Sequence, residues 1–443
     1  MTTPKPGAAA TEGVARVATR NAAYNADSLR VDTARALILS LAACVEGAEL
    51  LPLASALGRV LAADLVSPID VPAHDNAAMD GFAVRGADLR EDAPSRLRVL
   101  GASLAGRPYT GNVGAGQCVR IMTGATLPTG ADTVVVQEVV SLQGDRASIP
   151  AGQRPGSNLR RAGEDVKTGA VALAAGTPLR PAELGVIASL GLDRVEARRR
   201  PCVAYFSTGD ELLKAGESPA PGRVYDSNRA TLAAMLARAG CDGIDLGIVP
   251  DNPVALEQAL TRAALEADAV ISSGGVSVGD ADYIRPLMQR AGEVLFWKLA
   301  LKPGRPFAFG RLNPPPLADA ATKGERPGAL FFGLPGNPVA AMVTFYLLVR
   351  PALLAMQGRA DLDPPRTRVP VLHALAKKAG RTDVLRGVLE AADGKWQVRA
   401  TGAQGSGLLS SMAKANCLVV LEHERGDVAA GESVDVLILD GIA

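Results

Sequence analysis

The sequence predicts a multidomain α/β-plus-β protein, with a central α/β domain of mostly parallel sheet and separate β-rich parts. Three observations carry this. From about residue 200 to 350, short apolar runs alternate with helical stretches, the signature of a parallel sheet covered on both faces. From about 68 to 152 the chain is rich in Val, Thr and Gly, with turn signals at Gly111-Asn112 and Pro128-Thr129-Gly130. After Pro364-Pro365 a tail of about 80 residues carries strand-like runs at 369–372 and 417–421. The length of 443 residues, at roughly 150 per domain, also suggests about three domains.

The elements follow in order. Residues 1–27, rich in Ala, Thr, Gly and Pro and without an apolar signal core, read as a disordered extension. Residues 28–45 read as a helix, and 53–65 as a second one. Strands are expected at 97–100 and 133–136 in the β-rich part. A strand at 202–206 precedes a helix over 227–239, where Leu232, Met235 and Leu236 share a face and Gly240 is the stop. A strand at 246–249 leads to a helix opened by Pro253, whose missing N–H is harmless there. Further strands are expected at 269–272, 294–298 and 330–332, with a helix at 283–290. Residues 339–348 are apolar nearly all round, which predicts a buried helix. Residues 311–327 read as a surface loop between two strands.

Composition excludes several classes of function. A net charge of +1 gives no electrostatic case for nucleic acid or an acidic membrane, and 4% aromatics argues against base-stacking platforms. The five cysteines are far apart and lack a C-x-x-C, so neither a disulfide framework nor a zinc site is expected, and a cytoplasmic location fits.

In an open parallel sheet, ligands bind outside the carboxyl ends of the strands. Four such ends carry polar or glycine-rich loops: "STGDEL" (207–212), "VPDNP" (249–253), "SSGGVSVGD" (272–280) and "GLPGNP" (333–338). Glycines let backbone N–H groups approach an anion closely, and Asn337-Pro338 reads as the start of a helix facing the same edge. Acids crowd there too: Asp210, Glu211, Asp251, Asp280 and Asp282. Carboxylates beside a phosphate call for a bridging cation, and Mg²⁺ suits an all-oxygen site. For Asp251, capping of the following helix and metal binding are equally open readings. In "FWKLALKPGRPFAFG" (296–310), Lys298, Lys302 and Arg305 alternate with apolar residues, so the cations are expected to share one face and surround an oxyanion.

The motifs "DNAAMDGFAVR", "RIMTGATLPTGAD", "RRAGEDV", "FSTGDEL", "YDSNR", "SSGGVSVGDADY", "KLALKPGRPFAFG", "GLPGNPVAA" and "GAQGSGLLSS" occur in this order. Together they resemble the MoeA family of molybdopterin molybdenumtransferases and the related E domain of gephyrin-type proteins. The resemblance runs from about residue 28 to the end. It implies a four-domain subunit: a MogA-like molybdopterin-binding α/β domain (28–47 and 198–362), a linking domain (48–66 and 164–197), a β-rich domain (67–163) and a C-terminal β domain (363–443). It implies a homodimer whose cleft joins the α/β domain of one subunit to the β-rich domain of the other. The implied reaction takes adenylylated molybdopterin and molybdate, uses Mg²⁺, and releases AMP.

By the same resemblance, Asp80, Thr123, Asp165, Glu211, Asp251 and Asp282 are candidate catalytic residues, and Asp210, Glu211, Asp251 and Asp282 the metal set. Ser207, Thr208, Gly209, Ser273, Gly274, Gly275, Ser277, Gly279, Pro335, Asn337 and Pro338 would hold the pterin ligand, together with Arg305. Lys298, Lys302, Arg386 and Ser406 match a molybdate pocket. The attacking group stays open between an acid-activated water and a molybdate oxygen. Three positions depart from the family: Ala77 where Ser is frequent, Phe82 where Tyr is common, and Ala403 where a His can occur. Implied partners are a molybdopterin adenylyltransferase upstream and recipient molybdoenzymes downstream. Two other functions suit parts of the pattern, a MogA-like adenylyltransferase and a gephyrin-like scaffold; co-occurrence of acids and cations favours the transferase.

Overall fold

The structure, a computed structural model, describes residues 14–19, 24–275, 284–313 and 328–439. The chain divides into two compact units: Met1–Glu49 with Arg198–Ala443, and Leu50–Ala197.

In the first unit a six-stranded sheet runs in the order Asp242–Val249, Cys202–Thr208, Ala269–Ser273, Ala329–Leu334, Pro306–Leu312, Gly292–Lys298. The first four strands are parallel and Pro306–Leu312 runs against both of its neighbours, so the sheet is mostly parallel with one reversed strand next to its edge. The three inner parallel strands are near-continuous buried runs because helices cover both faces, whereas the edge strand Asp242–Val249 carries Asp and Gly among its apolar residues. One face packs Leu232, Met235 and Leu236 of Ser227–Arg238 with Val31–Leu41 and the apolar helix Pro338–Met356. The other packs Leu256 and Leu260 of Pro253–Glu266 with Leu287 and Met288 of Ile284–Ala291. Among the described residues Pro338–Met356 is the one helix long and apolar enough to cross a membrane, and 78% of that stretch is buried in this core.

The C-terminal segment forms a second sheet in the order Leu301–Lys302, Thr382–Ala392, Cys417–Leu421, Ser433–Ile438, Arg366–Pro370. Its first strand comes from the α/β segment, with Leu301 opposite Thr382 and Lys302 opposite Asp383. Val384, Met412, Leu418 and Leu437 join the α/β core, while Val369, Val419 and Val434 belong to a core of the tail's own.

The second unit contains a six-stranded, mainly antiparallel sheet in the order Thr133–Val136, Gly81–Val84, Gln117–Ile121, Ser95–Ser103, Arg146–Ile149, Ser141–Gln143. Smaller strand pairs and the helix Pro181–Ser189 complete it.

Three expectations are corrected. Residues 53–65 are not a helix: a single turn at Leu53–Ser55 ends before Gly58, which sits at φ +74°, and Val60 and Leu61 bridge to Pro178 and Ala197. Tertiary pairing outweighs helix propensity there. The extension expected to lack structure through Asp27 forms a helix at Val14–Thr19, with Val14 and Ala18 buried in the α/β core. Tyr24 beyond it accepts a hydrogen bond from the Trp297 indole at 3.1 Å. Of the expected surface loop at 311–327, Arg311 and Leu312 belong to a strand, and 314–327 lie outside the described residues.

Candidate active site

The strand order determines where a ligand can sit. From Cys202–Thr208 the chain crosses to Asp242–Val249 on one side, then to Ala269–Ser273 on the other. The carboxyl ends of Cys202–Thr208 and Ala269–Ser273 therefore flank a topological switch point, where the following connections diverge and leave a crevice. A crevice of about 1380 Å³ opens at this point.

Its floor is built from buried polar strand ends. Ser207, Thr208 and Ser273 are 1%, 6% and 2% exposed. Gly274 follows at φ +92°, and a Cβ there would stand 2.5 Å from the Thr208 carbonyl oxygen, so only glycine lets the two strand ends close up. Gly274 N–H donates to the Leu334 carbonyl at 3.1 Å, tying a third strand end to the same floor. Asn228 braces this arrangement: its amide donates to Ser273 Oγ and to the Gly336 carbonyl, both at 2.7 Å. Asp226 caps the helix Ser227–Arg238 and also accepts from Ser207 Oγ at 3.0 Å.

The walls carry charge of both signs. Glu211, Asp226 and Asp251 line the crevice with Lys302, Arg305 and Arg381. Asp251 does not cap its helix: Asn252 does, accepting from Ala255 N–H at 2.9 Å. Asp251 instead accepts from the Thr208 hydroxyl. The helix beginning at Pro338 has Asn337 at its cap position without a side-chain cap bond, and Val339 N–H donates to the Ser406 carbonyl at 3.1 Å. The loop carrying Ser406 is thereby docked on a helix start, and Gln404, Gly405, Ser406 and Gly407 close one wall.

Most of the expected ligand residues meet in this crevice: Ser207, Thr208, Gly209, Glu211, Asp251, Ser273, Gly274, Gly275, Lys302, Arg305, Pro335, Asn337, Pro338 and Ser406. Three do not line it. Asp210 accepts weakly from Asp251 N–H at 3.4 Å, and its carbonyl accepts from Arg223. Lys298 turns to Asp27, with a 2.8 Å ion pair that holds the Asp27 carboxyl below its usual range, so the three cations of 296–310 do not act as one set. Arg386 is fully buried: Nε donates to Ser411 Oγ at 2.9 Å and Nη2 to the Gly405 carbonyl at 3.0 Å, while Nη1 has no partner among the described residues. Its guanidinium braces the loop that carries Ser406. Ser277, Gly279, Asp280 and Asp282 lie outside the described residues. Sequence reasoning missed Arg381, Asp226, Asn228 and Gln404. The "YDSNR" motif was the available signal for two of them; Arg381 had none.

In the second unit, Asp80 and Thr123 stand at adjacent strand ends because Gly81 pairs with Ile121. Asp80 Oδ1 accepts from Thr123 N–H at 2.7 Å and from Thr123 Oγ1 at 2.8 Å. These two bonds, the backbone one foremost, hold the Asp80 carboxyl below the usual carboxylate range. Asp165 is exposed, and its N–H donates to the Val71 carbonyl at 3.0 Å. Nearby, Asp75 accepts from Ala162 N–H at 2.9 Å and from Arg161 at 2.6 Å. Ala77 and Phe82 are both buried in packing clusters of this unit, so neither presents a group to a ligand.

Among the described residues no group of three or more His, Cys, Asp or Glu is gathered closely enough to hold a metal. Glu211 and Asp251 nevertheless share the crevice wall, and Mg²⁺ is commonly held by one or two carboxylates plus ligand phosphates, so the donor chemistry fits that ion.

The chain matches three family descriptions in register: "MoeA N-terminal region (domain I and II)" over residues 29–191, "Probable molybdopterin binding domain" over 204–355, and "MoeA C-terminal region (domain IV)" over 368–439. A molybdopterin molybdenumtransferase of Haemophilus influenzae is 43% identical over 92% of this chain and 98% of its own. The chain belongs to the MoeA family of molybdenum-cofactor biosynthesis enzymes. A Nostoc relative named molybdopterin molybdenumtransferase is 36% identical over 88% of each chain. Among solved structures, a molybdopterin biosynthesis moeA protein from Pyrococcus horikoshii superposes with a TM-score of 0.79 at 29% identity, covering 93% of this chain and 100% of that one. The crevice lies mainly within the MoeA segment described as molybdopterin-binding, and its remaining wall comes from the C-terminal region.

Proposed function

We propose that the protein is a molybdopterin molybdenumtransferase, inserting molybdenum from molybdate into adenylylated molybdopterin and releasing AMP. One observation carries this reading: glycine-rich strand ends, three cations and two non-capping carboxylates line a single crevice at the sheet's switch point. Neutral backbone donors at Gly209 and Gly275 suit phosphate oxygens, while Lys302 and Arg305 suit a second oxyanion.

Each residue then has a task. Thr208 orients the Asp251 carboxylate. Asn228 keeps two glycine loops at one spacing, so the ligand meets a preformed site. Glu211 and Asp251, with Asp210 behind and Asp282 as a further member of the set, would hold Mg²⁺. When bound, that ion supplies charge neutralisation at the phosphoanhydride. Asp80, kept ionised by Thr123, and Asp165 are the acids that the second unit contributes. In the homodimer proposed here they would serve the crevice of the other subunit. Arg386 acts by bracing Ser406, and Lys298 by tethering Asp27. The protein works in the cytoplasm, between a molybdopterin adenylyltransferase and recipient molybdoenzymes.

The test is a defined assay with purified protein, adenylylated molybdopterin, Mg²⁺ and molybdate. AMP release that requires both Mg²⁺ and molybdate, with product that activates a molybdenum-free apoenzyme, is the expected outcome. Tight pterin binding without AMP release would instead indicate a scaffold, and ATP consumption with unadenylylated molybdopterin an adenylyltransferase.

A further inference from the structure

We infer that Arg381 is an anion-binding residue of the crevice that holds the tetrahedral oxyanion substrate together with Lys302, and that Asp383 and Lys377 are the positioning residues that aim it. This rests on the transferase reading above.

The short strand Leu301–Lys302 pairs in parallel with Thr382 and Asp383, and Thr382 N–H donates to the Ala300 carbonyl at 2.8 Å. Lys302 and Asp383 are direct partners, so their side chains share a face of the sheet. Arg381, two residues before Asp383, joins that face. The C-terminal segment thus delivers an arginine beside the lysine that the α/β segment provides, and both line the crevice.

Arg381 is aimed rather than loose. The Asp383 carboxylate, on a residue only 2% exposed, accepts from Arg381 Nε at 2.8 Å and from Nη2 at 3.5 Å. That leaves Nη1 without a hydrogen-bond partner among the described residues. The loop carrying Arg381 is pinned from behind by Lys377, which is 6% exposed. Its ammonium donates to the carbonyls of Arg381 at 2.8 Å, Arg425 at 2.7 Å and Lys378 at 3.3 Å, and its N–H donates to Asp427 at 2.7 Å. Burying an ammonium is costly unless it is fully bonded, and here those bonds go to backbone oxygens that define the loop. Arg386, the arginine that the sequence suggested for this task, commits Nε to Ser411 and Nη2 to Gly405, keeps only Nη1 unpartnered among the described residues, and does not line the crevice as Arg381 does. A guanidinium fork next to an ammonium matches a tetrahedral dianion better than either cation alone.

The test measures molybdate binding and AMP binding separately by calorimetry on the full chain, alongside thermal melting and steady-state AMP release. Arg381→Ala is expected to weaken molybdate about tenfold or more, as loss of one charge-assisted contact does, with AMP affinity within about twofold of the parent. Arg381→Lys recovers part of the loss. Lys377→Met and Asp383→Asn raise KM for molybdate with kcat nearly unchanged, which a general loss of fold would not do. Normal molybdate affinity in a stably folded Arg381→Ala protein overturns the inference, as does loss of AMP binding in its place. If the parent protein neither binds molybdate nor releases AMP, the transferase reading fails and this inference with it. If the parent transfers molybdenum and Arg381→Ala does so equally well, the inference alone fails.

Discussion

The crevice of the first unit and the Asp80 loop of the second are built on opposite plans. In the crevice, polar groups sit on nearly buried strand ends, and their spacing is set by backbone contacts such as Gly274 against Thr208. In the Asp80 loop the groups are exposed or half-buried, and order comes from two hydrogen bonds between Asp80 and Thr123. A concavity that must recognise a whole ligand needs a rigid floor, which only a packed core provides. A single carboxylate that must stay ionised needs only well-placed donors. The comparison teaches that loss of the first plan should show in binding, and loss of the second in turnover.

Lys302→Ala and Asp80→Ala give the largest effects and separate the two plans. Each should lower kcat/KM for AMP release about 10²-fold or more, the scale for removing a charge that faces reacting anions. Lys302→Ala should do so mainly through KM for molybdate, and Asp80→Ala mainly through kcat, with both proteins melting as the parent does. The reverse split would break the comparison.

Gly274→Val comes next. A Cβ 2.5 Å from a carbonyl oxygen, at φ +92°, forces the strand ends apart. A stability loss of about 1–3 kcal/mol is expected in denaturant titration, with loss of AMP binding. Parent-like AMP affinity would mean that the floor is not the phosphate cradle.

Thr123→Val removes one of the two bonds that depress the Asp80 carboxyl. Because that folded-state value is lowered, its stabilising contribution is complete above the ordinary carboxylate range and fades as pH falls through the folded value. The variant should therefore be less stable than the parent at neutral pH, and the gap should close in acid. An NMR titration of Asp80 should show its midpoint moving up; an unmoved midpoint would assign the shift to the backbone N–H alone.

The smallest effect belongs to Asn252→Ala, which deletes a helix cap and should cost about 1 kcal/mol with no change in KM. A changed KM would show that the loop after Val249 shapes the ligand site through more than Asp251.

The α/β alternation was legible because strands and helices write their periods into local sequence: Ser227–Arg238 and Ala269–Ser273 lie within a residue or so of where the pattern put them. The glycine loops were legible because strand ends that close up, as Gly274 does on Thr208, need glycine, and glycine is visible. The roles of the cations were not. Lys298, Lys302 and Arg305 look alike in the chain, yet one is taken by Asp27 while two reach the crevice. Arg386 and Arg381 were no easier to tell apart, because burial of one and exposure of the other depend on how the Thr382–Ala392 strand meets its neighbours.

The sequence alone determined the family, the order of strand and helix in the central domain, and the four loops at the sheet's carboxyl edge. These depend on periodicity and on residues with special backbone freedom, both local properties. Only the tertiary structure decided that Asp251 serves Thr208 rather than a helix end, that 53–65 bridges instead of coiling, and that Arg381 and Lys302 line one crevice. Those outcomes turn on partners many residues away, and a charge or a hydroxyl takes its role from whichever partner packing brings within hydrogen-bond reach.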